Sequence, residues 1–483
     1  MKRIIITILV LSSSALQAQV FDTLTSEQQS EDWEIFRGAL EHAHGGVHWY
    51  MPPERWDSVT QVMEAKGWPA QSMNDFSLLI RQELTAVHCG HTWMNDVNGW
   101  STYQAENPVL LPFNIYFNAP GEGVLYHDFT AEGNLPIGAK VTHLDGLAFS
   151  DVYRVLSRYV TADGYSEGGV MNRMRWNIIP RYAQHFGGNE VALTYEWEGK
   201  TETVMLSNVS RNTRRERFEE RYAETEPSYD GPALYLEVID AEVGKVGHLV
   251  HNSFTKSWMR QRGYPLPKKY GEIFEQVAEQ ELDYLILDLR DNGGGDDYMG
   301  TSLCRYLINQ PFDYFVKMQT STRRLGKTPG LDKANGLRFI GMMLVKDREV
   351  AGQYKWIWSK TLRTHRPKAP VFKGQLVVLS DGGTFSTATD VVSTIHNNRE
   401  AVFVGQETGG GYYGNTSAAN VKVVLPNSGL SITIPIVRYT NPVDKPEWVG
   451  RGIIPDVPVF NTHQDRLAGR DAMLEKAIQQ FQE

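Results

Sequence analysis

Apolar residues recur along the chain with two different periods, and the change between them divides it. Across residues 26–86 they return every three or four positions, as in Trp33, Phe36 and Leu40 and again in Phe76, Leu79, Ile80 and Leu84. That spacing predicts helices with one buried face, hence an N-terminal helical unit. Between 107 and 207 the pattern shortens to strands at 123–126, 139–144, 191–195 and 203–206 around one helical stretch at 149–159. Residues 211–226 are highly charged, end ahead of Pro227 and read as a linker. From 244 onward apolar strands (246–250, 284–289, 376–379, 401–404) alternate with helical segments (268–281, 297–308, 389–397), followed by further strands that look antiparallel up to Val437. This alternation predicts an α/β domain.

Composition changes this picture at the N-terminus. Met1-Lys2-Arg3 precedes an apolar run over residues 4–11 and a small residue, Ala18, before Gln19. The pattern predicts a secretory signal peptide over 1–18, too short to span a bilayer and without a cysteine for a lipid anchor. A periplasmic or secreted protein with no membrane span is expected. With 41% hydrophobic and 22% charged residues, disordered, collagen-like and coiled-coil classes fall away. The formal charge of -9 gives nucleic acid no global attraction. The two cysteines, Cys89 and Cys304, cannot form a four-thiolate zinc site. They allow one bridge or two buried free thiols, of which the second is expected.

Two segments carry candidate chemistry. In Leu379-Ser-Asp381-Gly-Gly-Thr384-Phe-Ser386-Thr387 a strand runs through two glycines into the start of a helix. Such a turn lifts a side-chain oxygen out of the fold and aims backbone N–H groups at the same point, which makes Ser386 a candidate nucleophile. Helix capping by Thr384, Ser386 or Thr387 is the alternative reading. In Asp288-Leu-Arg290-Asp-Asn292-Gly293-Gly294-Gly295 a buried strand ends in glycines that leave N–H groups free for an anion. Asp296 and Asp297 follow where a phosphate loop would place Lys and Ser or Thr, and acidic residues there would repel phosphate.

Together these segments resemble the S41 serine peptidases, the family of C-terminal processing and tricorn-type proteases, over about 245–459. The resemblance implies a multidomain α/β protein: signal peptide 1–18, N-terminal helical domain 19–105, PDZ-like domain 106–210 and catalytic domain 225–470 with a mixed, ClpP/crotonase-like sheet. The Leu144-Asp145-Gly146 turn between a strand and a helix supports the PDZ-like reading. Processing proteases place a lysine 25 residues after the serine. Here that position is Gly411, so a Ser/Lys dyad is absent. The tricorn-like and retinoid-binding-protein-like branches place a histidine in the N-terminal region, and Gly90-His91-Thr92 matches that context. His91 is then the expected base, imidazole being the side chain that titrates near neutral pH. The same branch supplies an acid shortly before Gly452-Ile-Ile-Pro-Asp456. Glu447 is the expected third member, with Glu407 and Asp381 as substitutes. The family's oxyanion hole implies the N–H groups of Gly293 or Gly294 and of Thr387.

The expected activity is hydrolysis of peptide or protein substrates without a cofactor; a non-catalytic binding protein on the same fold, or an esterase, is the alternative. No catalytic metal is expected. Glu41-His42-Ala-His44 with His48, and His88-Cys89-Gly90-His91, are rich in ligand types, but no His-Glu-x-x-His is present. Residues 317–373 hold 14 Lys or Arg against Asp332, Asp347 and Glu349. This basic insert is either solvated surface or a wall that attracts substrate carboxylates through Arg323, Arg324, Arg363 or Arg366.

Overall fold

The computed structural model describes residues 22–225, 231–332, 347–348, 354–355, 359–443 and 445–482. The expected signal peptide, and the middle of the basic insert, lie outside the described residues.

Three helices open the described chain: α1 (Ser26–Ala43), α2 (Glu54–Ala65) and α3 (Met73–Thr85). Thr25 and Gln28 close a capping box at the start of α1. The periodic residues Trp33, Phe36, Leu40, Phe76, Ile80 and Leu84 are fully buried. An antiparallel sheet follows, formed in sequential order by β1 (Phe113–Ala119), β2 (Glu122–Asp128), β3 (Lys140–Leu144), β4 (Glu190–Trp197) and β5 (Lys200–Ser207). Helices α4 (Phe149–Ser157) and α5 (Glu167–His185) pack on it.

The stretch expected to be a linker is instead a helix, α6 (Arg211–Arg221), capped by Ser210. Three of its arginines bond backbone carbonyls of the sheet and its flanks. Arg214 donates to the carbonyls of Leu111 and Phe113, Arg217 to that of Phe129, and Arg221 to that of Asp128. Charge-assisted bonds from a run of arginines to backbone carbonyls hold a segment in place, whereas the same run in water would leave it free.

The second sheet has six strands in the order β6 (Leu234–Ala241), β7 (Gly244–His251), β8 (Tyr284–Asp288), β9 (Gln375–Ser380), β10 (Val402–Gly405) and β11 (Val457–Pro458). The β6–β7 pair is antiparallel and every other pair is parallel. Strand alternation divides the side chains between two cores. Leu285, Leu287 and Val378 join the large cluster shared with the N-terminal helices and the first sheet. Ile286, Val377, Leu379 and Val404 pack on Met473 and Ala477 of α10 (Ala472–Gln479), with Phe481 beyond it. Helices α7 (Lys268–Glu279), α8 (Asp297–Leu307) and α9 (Thr387–Asn398) make the crossovers. No helix among the described residues is long and apolar enough to cross a membrane.

The register fixes what comes next. Asp288 of β8 pairs with Leu379 of β9, so the glycine loop after one strand and the serine turn after the other leave the sheet side by side. Carboxyl ends of neighbouring parallel strands are where α/β sheets open a crevice.

Candidate active site

Asp288, Arg290 and Asn292 of the Asp-Leu-Arg-x-Asn motif each have a visible task in holding the glycine loop. Arg290 grips Asp288 through Nε at 2.9 Å and reaches Asp471, at the start of α10, with two bonds of 2.8 and 2.9 Å. His248 Nε2 lies 3.1 Å from Asp288 Oδ2. Burial opposes the Asp288 charge, but Arg290 and His248 outweigh it and hold the carboxyl well below the usual range. Asn292 donates to the His251 carbonyl at 2.6 Å and accepts the Gly294 N–H at 2.9 Å, which bends the loop back on itself.

The serine turn is stitched to that loop. Asp381 Oδ1 accepts the N–H groups of Asp291 at 2.9 Å, Gly383 at 2.9 Å and Thr384 at 3.1 Å. Phe385 N–H donates to the Asn292 carbonyl at 3.0 Å. A side chain at Gly294, whose φ is +90°, would stand 2.8 Å from Ser386 Cβ and 2.8 Å from Thr387 N, so only glycine permits this approach. Ser386 itself precedes α9 with φ 55° and ψ -130° and makes no side-chain capping bond. A non-glycine residue there carries strain of about 1–3 kcal/mol, and strain of this kind is retained where surrounding structure over-determines it. The capping reading of Ser386 therefore fails, and the residue is left presented in the cleft.

Ser386 and His91 line one cleft together with Ser253, Gly293, Asp297 and Ser417. The His91 ring stacks on Phe385, the neighbour of Ser386, with centroids 4.4 Å apart. No hydrogen bond joins His91 to Ser386 among the described residues. His88 is turned away: its Nδ1 lies 2.8 Å from the Gly164 carbonyl and its ring packs on Tyr165.

The expected third residue is not brought to this site. Glu447 lies exposed in the short turn Pro446–Trp448, and no ion pair links it to His91 among the described residues. That turn is pinned by Lys445 over the Trp448 ring at 4.2 Å, which leaves the glutamate on the outside. Glu407 is taken by a two-pronged pair with Arg451, both bonds 2.8 Å, and Asp381 by the loop amides described above. The carboxylate facing His91 is Asp163, whose Oδ1 lies 3.9 Å from His91 Nδ1 and accepts the Gly90 N–H at 2.6 Å. The segment carrying it is clamped from both sides: Gly164 N–H donates to the His88 carbonyl at 2.9 Å, and Ser166 Oγ to the Thr408 carbonyl at 2.8 Å.

The backbone N–H groups expected to receive an oxyanion differ in what they already bond. Gly294 N–H is already bonded to Asn292, whereas Gly293 is exposed to the cleft and Thr387 opens α9 at its N-terminal end. Thr387 Oγ1 reaches Asp297 Oδ1 at 3.1 Å. Burial, with Asp296 adding to it, pushes the Asp297 carboxyl up to about 6.

Cys89 and Cys304 are buried and unbridged. Burial and then Asp163 push the Cys89 thiol up to about 12. Of the insert arginines, Arg324, Arg363 and Arg366 are exposed, and none of the four named above lines the cleft. The charged lining near Ser386 is acidic, Asp296 and Asp297.

Asp163 and Asp297 are the two residues that sequence reasoning missed. Asp163 falls in the segment that departs from a compact PDZ-like pattern, and that departure was the available signal. Asp297 was visible only as a residue unsuited to phosphate.

Residues 245–459 match the model of peptidase family S41. Among solved structures the fold is similar to mature CPAF, at 13% identity and a TM-score of 0.60 over 94% of this chain and 95% of that one. It is likewise similar to mature CPAF complexed with lactacystin, at 13% identity and a TM-score of 0.63 over 94% and 97%. A CPAF S499A mutant gives 14% identity and a TM-score of 0.61 over 94% and 96%. At these identities the likeness is one of fold. No curated protein matches the chain.

Proposed function

We propose that the chain, whose residues 245–459 match the model of peptidase family S41, cleaves peptide bonds with Ser386 as nucleophile, His91 as base and Asp163 as the residue that positions His91. The observation that carries this reading is the strained, uncapped Ser386 in one cleft with His91 and with the exposed Gly293 amide.

His91 takes the Ser386 Oγ proton as the oxygen attacks the substrate carbonyl. The N–H groups of Gly293 and Thr387 receive the negative charge that develops on the carbonyl oxygen. His91 then returns the proton to the leaving amine, and a water molecule repeats the sequence on the acyl-enzyme. Asp163 lies beyond hydrogen-bond range of His91 in the free protein; catalytic contacts of this kind tighten when substrate closes the cleft. Asp163 fixes the ring's orientation and favours the imidazolium that forms in the transition state.

The N-terminal helices and the sheet of 113–207 serve as a helical domain and a PDZ-like domain around this centre, and export by the 1–18 segment places the enzyme in the periplasm or outside the cell. Recognition of a free C-terminus by the basic insert is a weaker reading, because the described lining of the cleft is acidic. Purified wild type should degrade an unfolded protein such as casein, and Ser386→Ala should not. Equal degradation by both would refute the serine mechanism. Cleavage of small esters alone, with casein untouched, would favour an esterase.

A further inference from the structure

Cys89, His91 and Asp163 make a second constellation inside the first. The Cys89 sulfur, an imidazole nitrogen of His91 and a carboxylate oxygen of Asp163 all lie within 4.8 Å of one another. His91 Nδ1 and Asp163 Oδ2 are both buried without a hydrogen-bond partner. Asp163 and Cys89 are each only 4% exposed. Leaving a buried polar atom unpaired costs about 1–3 kcal/mol, so two such atoms beside a thiol form an arrangement that a ligand completes.

Beside Cys89 and Asp163, on the side away from His91, lies a cavity of about 10 Å³ bordered also by Tyr50, His88 and Thr416, about the room that one water molecule needs. A thiol, an imidazole and a carboxylate are the donor set of zinc and other thiophilic divalent ions, whereas calcium and magnesium take oxygen alone. Zinc bonds of about 2.0–2.3 Å place tetrahedral ligand atoms about 3.3–3.8 Å apart. The three donors therefore need only a small inward movement to close on an ion.

We propose that Cys89, His91 and Asp163 form an inhibitory site for a zinc-like divalent cation. Cys89 gives its proton to solvent and binds as thiolate, Asp163 binds through Oδ2 and His91 through the Nδ1 lone pair, with water in the fourth position. The ring's one proton then sits on Nε2. No lone pair is left there to receive the Ser386 proton, so the metal-loaded chain is inactive. Binding of the ion stands on the geometry alone; the inhibition rests on His91 being the base.

The test uses the full chain, stripped with a chelator and titrated with CoCl2 and then ZnCl2. One cobalt per chain should bind with a near-ultraviolet thiolate-to-cobalt band that zinc displaces, that persists in Cys304→Ala and that disappears in Cys89→Ala. Absence of the band, or a band that follows Cys304, overturns the site. A check that leaves Cys89 intact is zinc-edge X-ray absorption on Cys304→Ala, which should show one sulfur ligand; nitrogen and oxygen alone overturn the proposal. Saturating zinc should lower fluorophosphonate labelling at least tenfold, and a chelator should restore it. Undiminished labelling with cobalt or zinc bound would refute the inhibitory role. A metal-free chain that takes no label would contradict the proposed function, while the cobalt result would still decide the site.

Discussion

Asp163 Oδ1 stands 3.9 Å from His91 Nδ1 and in the same place accepts the N–H of Gly90, the residue before that histidine. One buried carboxylate thus holds the backbone of the His91 turn and faces its ring. Asp163→Asn should lower kcat by about 10²–10⁴-fold, by analogy with the loss of the orienting carboxylate in a serine triad, with a smaller change in KM. Glu447→Gln should change kcat less than threefold. Steady-state kinetics of the two variants compares them, and the reverse ranking would return the role to Glu447.

Ser386 occupies a backbone conformation, φ 55° and ψ -130°, that costs little only for glycine. Ser386→Gly and Ser386→Ala should both be inactive, yet the glycine variant should be the more stable by about 1 kcal/mol through relief of strain. Urea denaturation of the pair measures this. A less stable glycine variant would show the turn to be unstrained.

How much of this was legible beforehand follows from where each signal lies. Ser386, Gly293 and Thr387 sit in two short motifs whose strands the sheet aligns, Asp288 against Leu379, so local sequence and local structure agree. His91 was reachable through its Gly-His-Thr context. Asp163 was not, because its position depends on contacts that no local pattern encodes: Gly164 against His88, and Ser166 against Thr408. Glu447 stands outside the cleft for the converse reason, since nearness in sequence to the Gly-Ile-Ile-Pro-Asp tail does not decide which way a surface turn points. The stretch of α6 reads as a linker because a charged run implies solvent only until carbonyls are found in reach.

Asp297 carries a pH signature. Burial raises its carboxyl to about 6, above the unfolded value of 3.8. Between those values the folded chain holds a proton that the unfolded chain has lost, so stability falls as pH rises through this window, by on the order of 1–3 kcal/mol. Asp297→Asn should flatten that part of the profile and be more stable than wild type at pH 7. Thermal melts between pH 4 and 7 would show it, and parallel wild-type and variant profiles would contradict it.

Asp288 should act with the opposite sign. Its carboxyl, held low by Arg290 and His248, contributes stability above the unfolded carboxylate range that is lost as pH falls toward its folded value. Arg290→Met leaves the Asp288 charge buried without that partner and should destabilise the chain by about 3–5 kcal/mol. It should also loosen the glycine loop and slow turnover. Denaturation at pH 7 and at pH 3 checks both statements; an Arg290→Met chain as stable as wild type at pH 7 would show the network to be unimportant.

Fluorophosphonate labelling of the purified chain, followed by peptide mapping, tests the central claim most directly. One label per chain on the peptide carrying Ser386, lost in Ser386→Ala and strongly reduced in His91→Ala but not in His88→Ala, is the expected result. A folded wild-type chain that takes no label, or that is labelled at another residue, would contradict Ser386 as the nucleophile.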